Sequence, residues 1–170
     1  MGFFSWIYET PLAEYIRISA YGYPAMITLH SLGLAIMVGL SVVLSLRVLG
    51  FFSTIPYSSL HRLLKVAWIG FTINFLSGSC LFSAAAEDLI RNEVFLTKMG
   101  LVILGAILVA TMQNMIKTAL ATGNAEVKAS TGLRVVATLT IASWTAGMVT
   151  GRFTAYLASD TFSVWLGSTF

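Results

Sequence analysis

Two histidines are the residues of this sequence best suited to hold a cofactor, and they lie in different settings. His30 stands in a stretch between Arg17 and Arg47 that contains no charged side chain, which is longer than the roughly 20 apolar residues needed to cross a bilayer. His61 is followed directly by Arg62. An ionisable residue at membrane depth usually serves a function, and imidazole is a common ligand of metals and haem iron. His30 is therefore the first candidate ligand.

The depths of the two histidines exclude one simple arrangement. Helix rise places His30 roughly 25 Å from Arg47, where its span ends, whereas His61 lies near that end. The two side chains of one chain therefore cannot hold the same metal ion or haem iron. Parallel copies in a membrane keep the same depths, so a dimer would not bring them together either.

Three interpretations of His30 remain open, and the first is a b-type haem with His30 as the axial ligand. Small residues on three spans would leave space for the flat macrocycle, and cations on two spans would pair with its propionates. A methionine could supply the sixth ligand, or the iron could stay open. The residues assigned to these roles are Gly33, Gly78, Gly147, Lys98, Arg152, Met148 and Met26.

The other two interpretations need no haem. A copper site would use His30 with Met26 and Met37, because thioethers favour Cu(I). In the simplest case, His30 hydrogen-bonds a backbone carbonyl or a serine and holds helices together. Lys98 and Arg152 could likewise reach lipid phosphates instead of a cofactor. Asn74 is expected to make a hydrogen bond between helices.

Composition indicates the elements that must position these residues. Of the 170 residues, 57% are hydrophobic and 10% charged, with a mean hydropathy of +0.85, whereas soluble domains carry about 25% charge. The sequence predicts an all-α four-helix bundle, a single integral membrane domain over residues 1–170. Its single cysteine, Cys80, excludes an internal disulfide. The predicted spans are residues 21–46, 60–85, 94–120 and 133–158.

Segments at the ends of the spans predict the placement in the membrane. Residues 3–19 mix aromatic and charged side chains, which favours an interfacial helix. The two loops around 47–65 and 117–134 hold six basic residues and one acid, against four basic residues and six acids on the opposite side. The positive-inside rule then predicts cytoplasmic loops and two periplasmic termini in a bacterial inner membrane. Because the basic residues lie at helix ends rather than in one patch, no nucleic-acid partner is expected.

Several short motifs resemble those of a known family. They are LHSLGLA at 29–35, VG at 38–39, LRVLGF at 46–51, GFTINFLSGSCLF at 70–82 and NEVFLTK at 92–98. Over residues 24–105 the chain resembles a bacterial family of small four-helix integral membrane proteins of unknown function. It is more distantly similar to CopD-like copper-resistance domains and b-type membrane cytochromes. The resemblance implies that His30, Asn74, Gly78 and Lys98 occupy the family's patterned positions, and it implies no activity.

The sequence favours a haem-binding membrane subunit that relays electrons near the outer face of the membrane. Its expected partners are the lipid bilayer and other membrane or periplasmic subunits. The alternative is a non-catalytic anchor or stabilising subunit of a larger complex. A stand-alone enzyme is less favoured, because no nucleophile has a histidine base at a plausible depth and no phosphate-binding loop is present.

Overall fold

A computed structural model of the chain describes residues 2–121 and 129–157, and all regular secondary structure in these ranges is helical. Four of its helices are long and apolar enough to cross a membrane, as the sequence predicts. Since lipid offers no hydrogen bonds to the backbone, helices are the natural form of such segments. The helices are α1 (Phe3–Tyr8), α2 (Pro11–Ile18), α3 (Gly22–Leu49), α4 (Tyr57–Ser83), α5 (Ala86–Leu89), α6 (Glu93–Ala121) and α7 (Thr131–Leu157).

The predicted N-terminal helix over residues 3–19 is present as two short helices that meet at Thr10 and Pro11. Proline has no N–H and its ring clashes with the preceding turn, so a helix cannot run through it. Thr10 takes an extended conformation, and its side-chain oxygen accepts a hydrogen bond from the N–H of Ala13 at 3.3 Å. This N-cap lets α2 start afresh with Pro11 in its first turn.

The first long helix extends three residues beyond the predicted span and ends at Gly50. This glycine has φ 108°, a left-handed conformation that costs other residues energy. The N–H groups of Gly50 and Phe51 donate to the carbonyls of Arg47 and Leu46 at 3.2 and 3.0 Å. These bonds satisfy carbonyls at the helix end and terminate α3 sharply.

The four long helices pack in the order α4, α3, α7, α6, and of the neighbouring pairs in this ring α4 and α6 make the least extensive contact. Helix α1 packs on α5, and α2 packs on α3 and α4, so the short helices gather at one end of the bundle. We call this the α5 end, and the opposite end, which carries the loop between α3 and α4, the Arg47 end.

Packing is uneven along the bundle. The buried hydrophobic core lies mainly in the half toward the Arg47 end, and Trp144 is its member nearest the α5 end. The half toward the α5 end is therefore less completely filled by side chains. The core residues are Met37, Val38, Leu44, Val48, Tyr57, Leu60, Leu64, Ala67, Val109, Met112, Ile116, Leu133, Ala137 and Trp144.

Candidate functional site

Helices α3 and α4 touch at a pair of glycines, and this contact sets the site. A Cβ built on Gly33 would lie 2.5 Å from the carbonyl oxygen of Gly70 and 2.6 Å from the backbone nitrogen of Asn74. No side chain fits there without moving backbone, so only glycine allows this approach. The contact places His30, one turn before Gly33, directly against the α4 backbone at Asn74.

His30 and Asn74 form a reciprocal hydrogen-bonded pair across the two helices. The His30 Nδ1 lies 2.9 Å from the carbonyl oxygen of Asn74, and the Asn74 side-chain Nδ2 donates to the carbonyl oxygen of His30 at 2.8 Å. The Asn74 Nδ2 also lies 3.2 Å from Nδ1, but it already donates to the His30 carbonyl, and the carbonyl of Asn74, which can only accept, is closer. These contacts favour the tautomer with the ring proton on Nδ1. The predicted interhelical hydrogen bond of Asn74 is thus present, and His30 is its partner.

The tautomer leaves the other ring nitrogen of His30 as an electron-pair donor. Nε2 makes no hydrogen bond to any residue in the described ranges. Metal-binding histidines commonly donate one N–H to a backbone carbonyl, which orients the ring and leaves the second nitrogen for the metal. His30 has this arrangement.

Gly78 makes room for the imidazole ring. A Cβ at this position would lie 2.9 Å from Cε1 and 3.0 Å from Nδ1 of His30. The ring therefore rests on the bare backbone of α4, one turn beyond Asn74. Asn74 fixes the ring through a hydrogen bond, and Gly78 fixes its position through van der Waals contact.

A cavity of about 600 Å³ adjoins the His30 ring. Its walls come from all four long helices and from the connection through α5. The volume falls within the range of small-molecule and cofactor sites, roughly 300–1,000 Å³. The walls are mostly apolar, with aromatic rings from α4 and α6 that include Phe71, Phe75, Phe82 and Phe95.

Five of the eight residues predicted for the haem site line this cavity: His30, Gly78, Lys98, Gly147 and Met148. The structure thus brings together residues from four helices that the sequence could only place at similar depth. Gly33 lies at the contact with Gly70 instead, so it provides close helix packing and not space for a ligand. Arg152 is exposed and lies outside the lining.

Among the described residues that line the cavity, Lys98 is the charged one and none is an acid. Its side chain lies against α7, where a Cβ on Gly151 would be 3.4 Å from the Lys98 Cε. Among the described residues, no hydrogen bond or ion pair is formed by its amino group. A charge at membrane depth is costly without a partner. The cavity therefore offers one positive charge to an anionic group.

The thioethers of the predicted copper site lie away from this cavity, since neither Met26 nor Met37 lines it. Met37 is buried in the core, where its sulfur lies 3.9 Å from the Ser41 hydroxyl. In the described part of the chain, no three His, Cys, Asp or Glu side chains are grouped so that they could hold a metal ion.

Trp144 forms part of the cavity wall on the side of the core and was not singled out as a site residue from sequence. It is 2% exposed, and its Nε1 has no hydrogen-bond partner in the described structure. Gly105 makes space for the indole, because a Cβ there would lie 3.0 Å from the Trp144 Cε2. Met99 and Tyr23 also line the cavity. The spacing of Tyr23, Ile27, His30 and Leu34 along one helix face could have revealed the α3 wall.

Comparison with known proteins places the chain in a family without assigning an activity. The model of a family of unknown function, DUF6644, matches residues 3–157. The match extends well beyond the 24–105 stretch that carries the sequence motifs, and it includes the fourth span. Searches of curated proteins and of solved structures returned no match. The resemblance to CopD-like domains and membrane cytochromes therefore gains no support from these comparisons.

Proposed function

The chain belongs to the DUF6644 family, and we propose that it binds haem b in the His30 cavity and serves as an electron-transferring membrane subunit. The observation that carries the proposal is the His30 ring itself. Its Nδ1 donates to the Asn74 carbonyl at 2.9 Å while the ring borders a cavity of about 600 Å³. The protonation of His30 and the space beside its ring therefore suit a haem ligand.

Each wall of the cavity would have a defined task. His30 would offer Nε2 to the iron, and the Asn74 carbonyl would hold the ring against rotation. Lys98 would pair with a propionate, because a carboxylate is the acidic group that an otherwise unpaired ammonium attracts. Met148 lines the same cavity and offers a thioether as the candidate second ligand. Haem would supply one-electron chemistry, with a potential set by these ligands and by burial.

The hydrogen bond of His30 also fits a histidine that only joins two helices. A purely structural role needs Nδ1 and the Asn74 carbonyl, but it does not need an adjoining cavity that Lys98 also lines. Glycine at position 78 brings the ring onto the α4 backbone in either case. The haem hypothesis accounts for the hydrogen bond, the cavity and Lys98 together, and it is therefore preferred over the anchor hypothesis.

Absorption spectroscopy of the full-length protein tests the proposal. We expect a Soret band in the protein purified from membranes, and its loss in His30→Ala. His61→Ala is the matched control, since it removes the other histidine, near the Arg47 end. Lys98→Met should weaken haem retention during purification but leave the axial ligand in place. Met148→Leu should shift the spectrum if the thioether binds iron.

Two results would refute the haem assignment. One is a parent protein, purified gently and supplied with haem, that shows neither a Soret band nor bound iron. The other is an unchanged spectrum in His30→Ala. The first result would leave the non-catalytic anchor or stabilising subunit as the function to pursue.

A further inference from the structure

We call the line along which α4 and α6 face each other the α4–α6 seam. Side-chain contacts close it at two points, and the two helices otherwise make little contact. Toward the Arg47 end, the indole Nε1 of Trp68 donates to the side-chain oxygen of Gln113 at 2.9 Å. Toward the α5 end, the rings of Phe82 and Phe95 stack with their centroids 5.7 Å apart. Trp68 and Phe82 are fourteen residues apart, so these closures are separated by about 21 Å along α4.

Between the two closures, cavity-lining side chains are open to the outside of the bundle. Phe75 on α4 is 59% exposed, and Leu96 and Met99 on α6 are 47% and 36% exposed. The same side chains thus face both the cavity and the surroundings. For a transmembrane segment, the surroundings at this level are lipid chains.

We propose that the gap between α4 and α6, bounded by the Trp68–Gln113 hydrogen bond and the Phe82–Phe95 stack, is the entrance by which the cavity takes up its ligand directly from the bilayer. It rests on the proposed function, because it concerns the same cavity, but it does not depend on iron ligation. The entrance defines the class of ligand as a lipid-soluble molecule with an apolar body and an acidic group.

The apolar body follows from the walls of the passage. A molecule that enters between Phe75 and Met99 crosses aromatic and thioether surfaces, where a strongly hydrated group would lose its water without compensation. The acidic group follows from Lys98, the charged lining residue, whose ammonium has no acidic partner in the described structure. A porphyrin with carboxylate side chains has both the apolar body and the acidic group.

The opposite seam is a less suitable entrance. Ile27 on α3 and Met148 on α7 also line the cavity and are exposed. However, α3 and α7 pack against each other more extensively than α4 and α6 do. Separating α3 from α7 would therefore break more packing than parting α4 from α6 between the Trp68–Gln113 bond and the α5 end. The two seams therefore provide a direct comparison.

Uptake of iron-free protoporphyrin IX from liposomes tests the entrance. The full-length protein, in a Cys80→Ser background, would carry Phe75→Cys and Met99→Cys, bridged by a short thiol-reactive linker that dithiothreitol cleaves. We expect uptake, followed by porphyrin fluorescence, to be lost in the bridged protein and restored on cleavage. The control across the other seam carries Ile27→Cys and Met148→Cys; because both residues line the cavity, its uptake is compared only with that of the same variant before bridging, and the bridge should leave that rate unchanged.

A second pair of variants works without cross-linking. Met99→Trp narrows the gap, whereas Ile107→Trp adds the same bulk to an exposed position of α6 outside the cavity lining. Slower uptake in Met99→Trp alone supports the entrance. Equal uptake rates in both tryptophan variants, or unchanged uptake in the bridged α4–α6 protein, overturn it.

The two proposals fail in different ways. Porphyrin uptake that depends on the α4–α6 gap, in a protein whose haem spectrum does not depend on His30, would keep the entrance and reject the iron ligand. A Soret band that depends on His30, together with porphyrin uptake that is unchanged when the α4–α6 gap is closed, would keep the iron ligand and reject the entrance. Loss of uptake only when the α3–α7 seam is bridged would move the entrance there and reject the α4–α6 proposal.

Discussion

The substitution Gly33→Ala should loosen the contact on which the site depends. The added methyl group would lie 2.5 Å from the Gly70 carbonyl oxygen and 2.6 Å from the Asn74 nitrogen. Both atoms belong to the backbone of α4 and cannot rotate away. The helices must therefore move apart, and the His30–Asn74 hydrogen bonds, at 2.9 and 2.8 Å, must lengthen.

The size of the effect can be worked out relative to Gly39→Ala. Gly39 lies in the same helix, and a Cβ there meets nothing within 4 Å, so both variants gain the same helix propensity of about 1 kcal/mol. Overpacking costs about 1–3 kcal/mol, and each hydrogen bond between membrane helices contributes about 0.6 kcal/mol. The free energy of unfolding of Gly33→Ala should thus be about 2–4 kcal/mol below that of Gly39→Ala.

Unfolding of the two variants in mixed detergent micelles, followed by circular dichroism, measures this difference. Gly70→Ala tests the same contact from α4, because its Cβ would lie 2.7 and 2.8 Å from Cγ2 and Cβ of Ile36 and 3.0 Å from the Gly33 carbonyl oxygen. The Ile36 Cβ is fixed by the backbone, so this variant should also separate the helices. Equal unfolding free energies for Gly33→Ala and Gly39→Ala would refute the close α3–α4 contact. That result would also contradict the geometry of the His30 site, which depends on this contact.

Two further predictions concern topology and packing. Single cysteines at Ser58 and Asn92, in a background without Cys80, should be labelled from opposite sides of the membrane, with the cysteine at position 58 accessible from the cytoplasm. Labelling of both positions from one side would contradict the four-span topology. Gly105→Ala should destabilise the protein, because the new methyl group lies 3.0 Å from the Trp144 ring. Gly147→Ala should lose no stability, because its closest new contact is an ordinary 3.6 Å; a loss equal to that of Gly105→Ala would contradict this packing.

Properties that depend on one segment at a time could be predicted from the sequence. Bilayer thickness fixes the length of a span, so four long apolar stretches were enough to predict the helices. A histidine within such a stretch is costly wherever the helix lies, so His30 is a candidate whatever its neighbours are. The break at Pro11 is also a local effect: the prediction of one helix over residues 3–19 did not include it, although the Thr10–Pro11 pair is a recognisable helix start.

Properties that depend on how the helices face one another were decided by the tertiary structure. Asn74 could be expected to bond another helix, but its pairing with His30 depends on the approach of Gly33 to Gly70. Gly33 shares a helix face with His30, which predicts that it leaves space for a cofactor, yet the α4 backbone at Gly70 approaches so closely that no space remains there. Depth along a helix follows from counting residues, whereas direction around the helix depends on which neighbours it packs against. The cavity is a space left by side chains of four separate segments, and no single segment of the sequence records it.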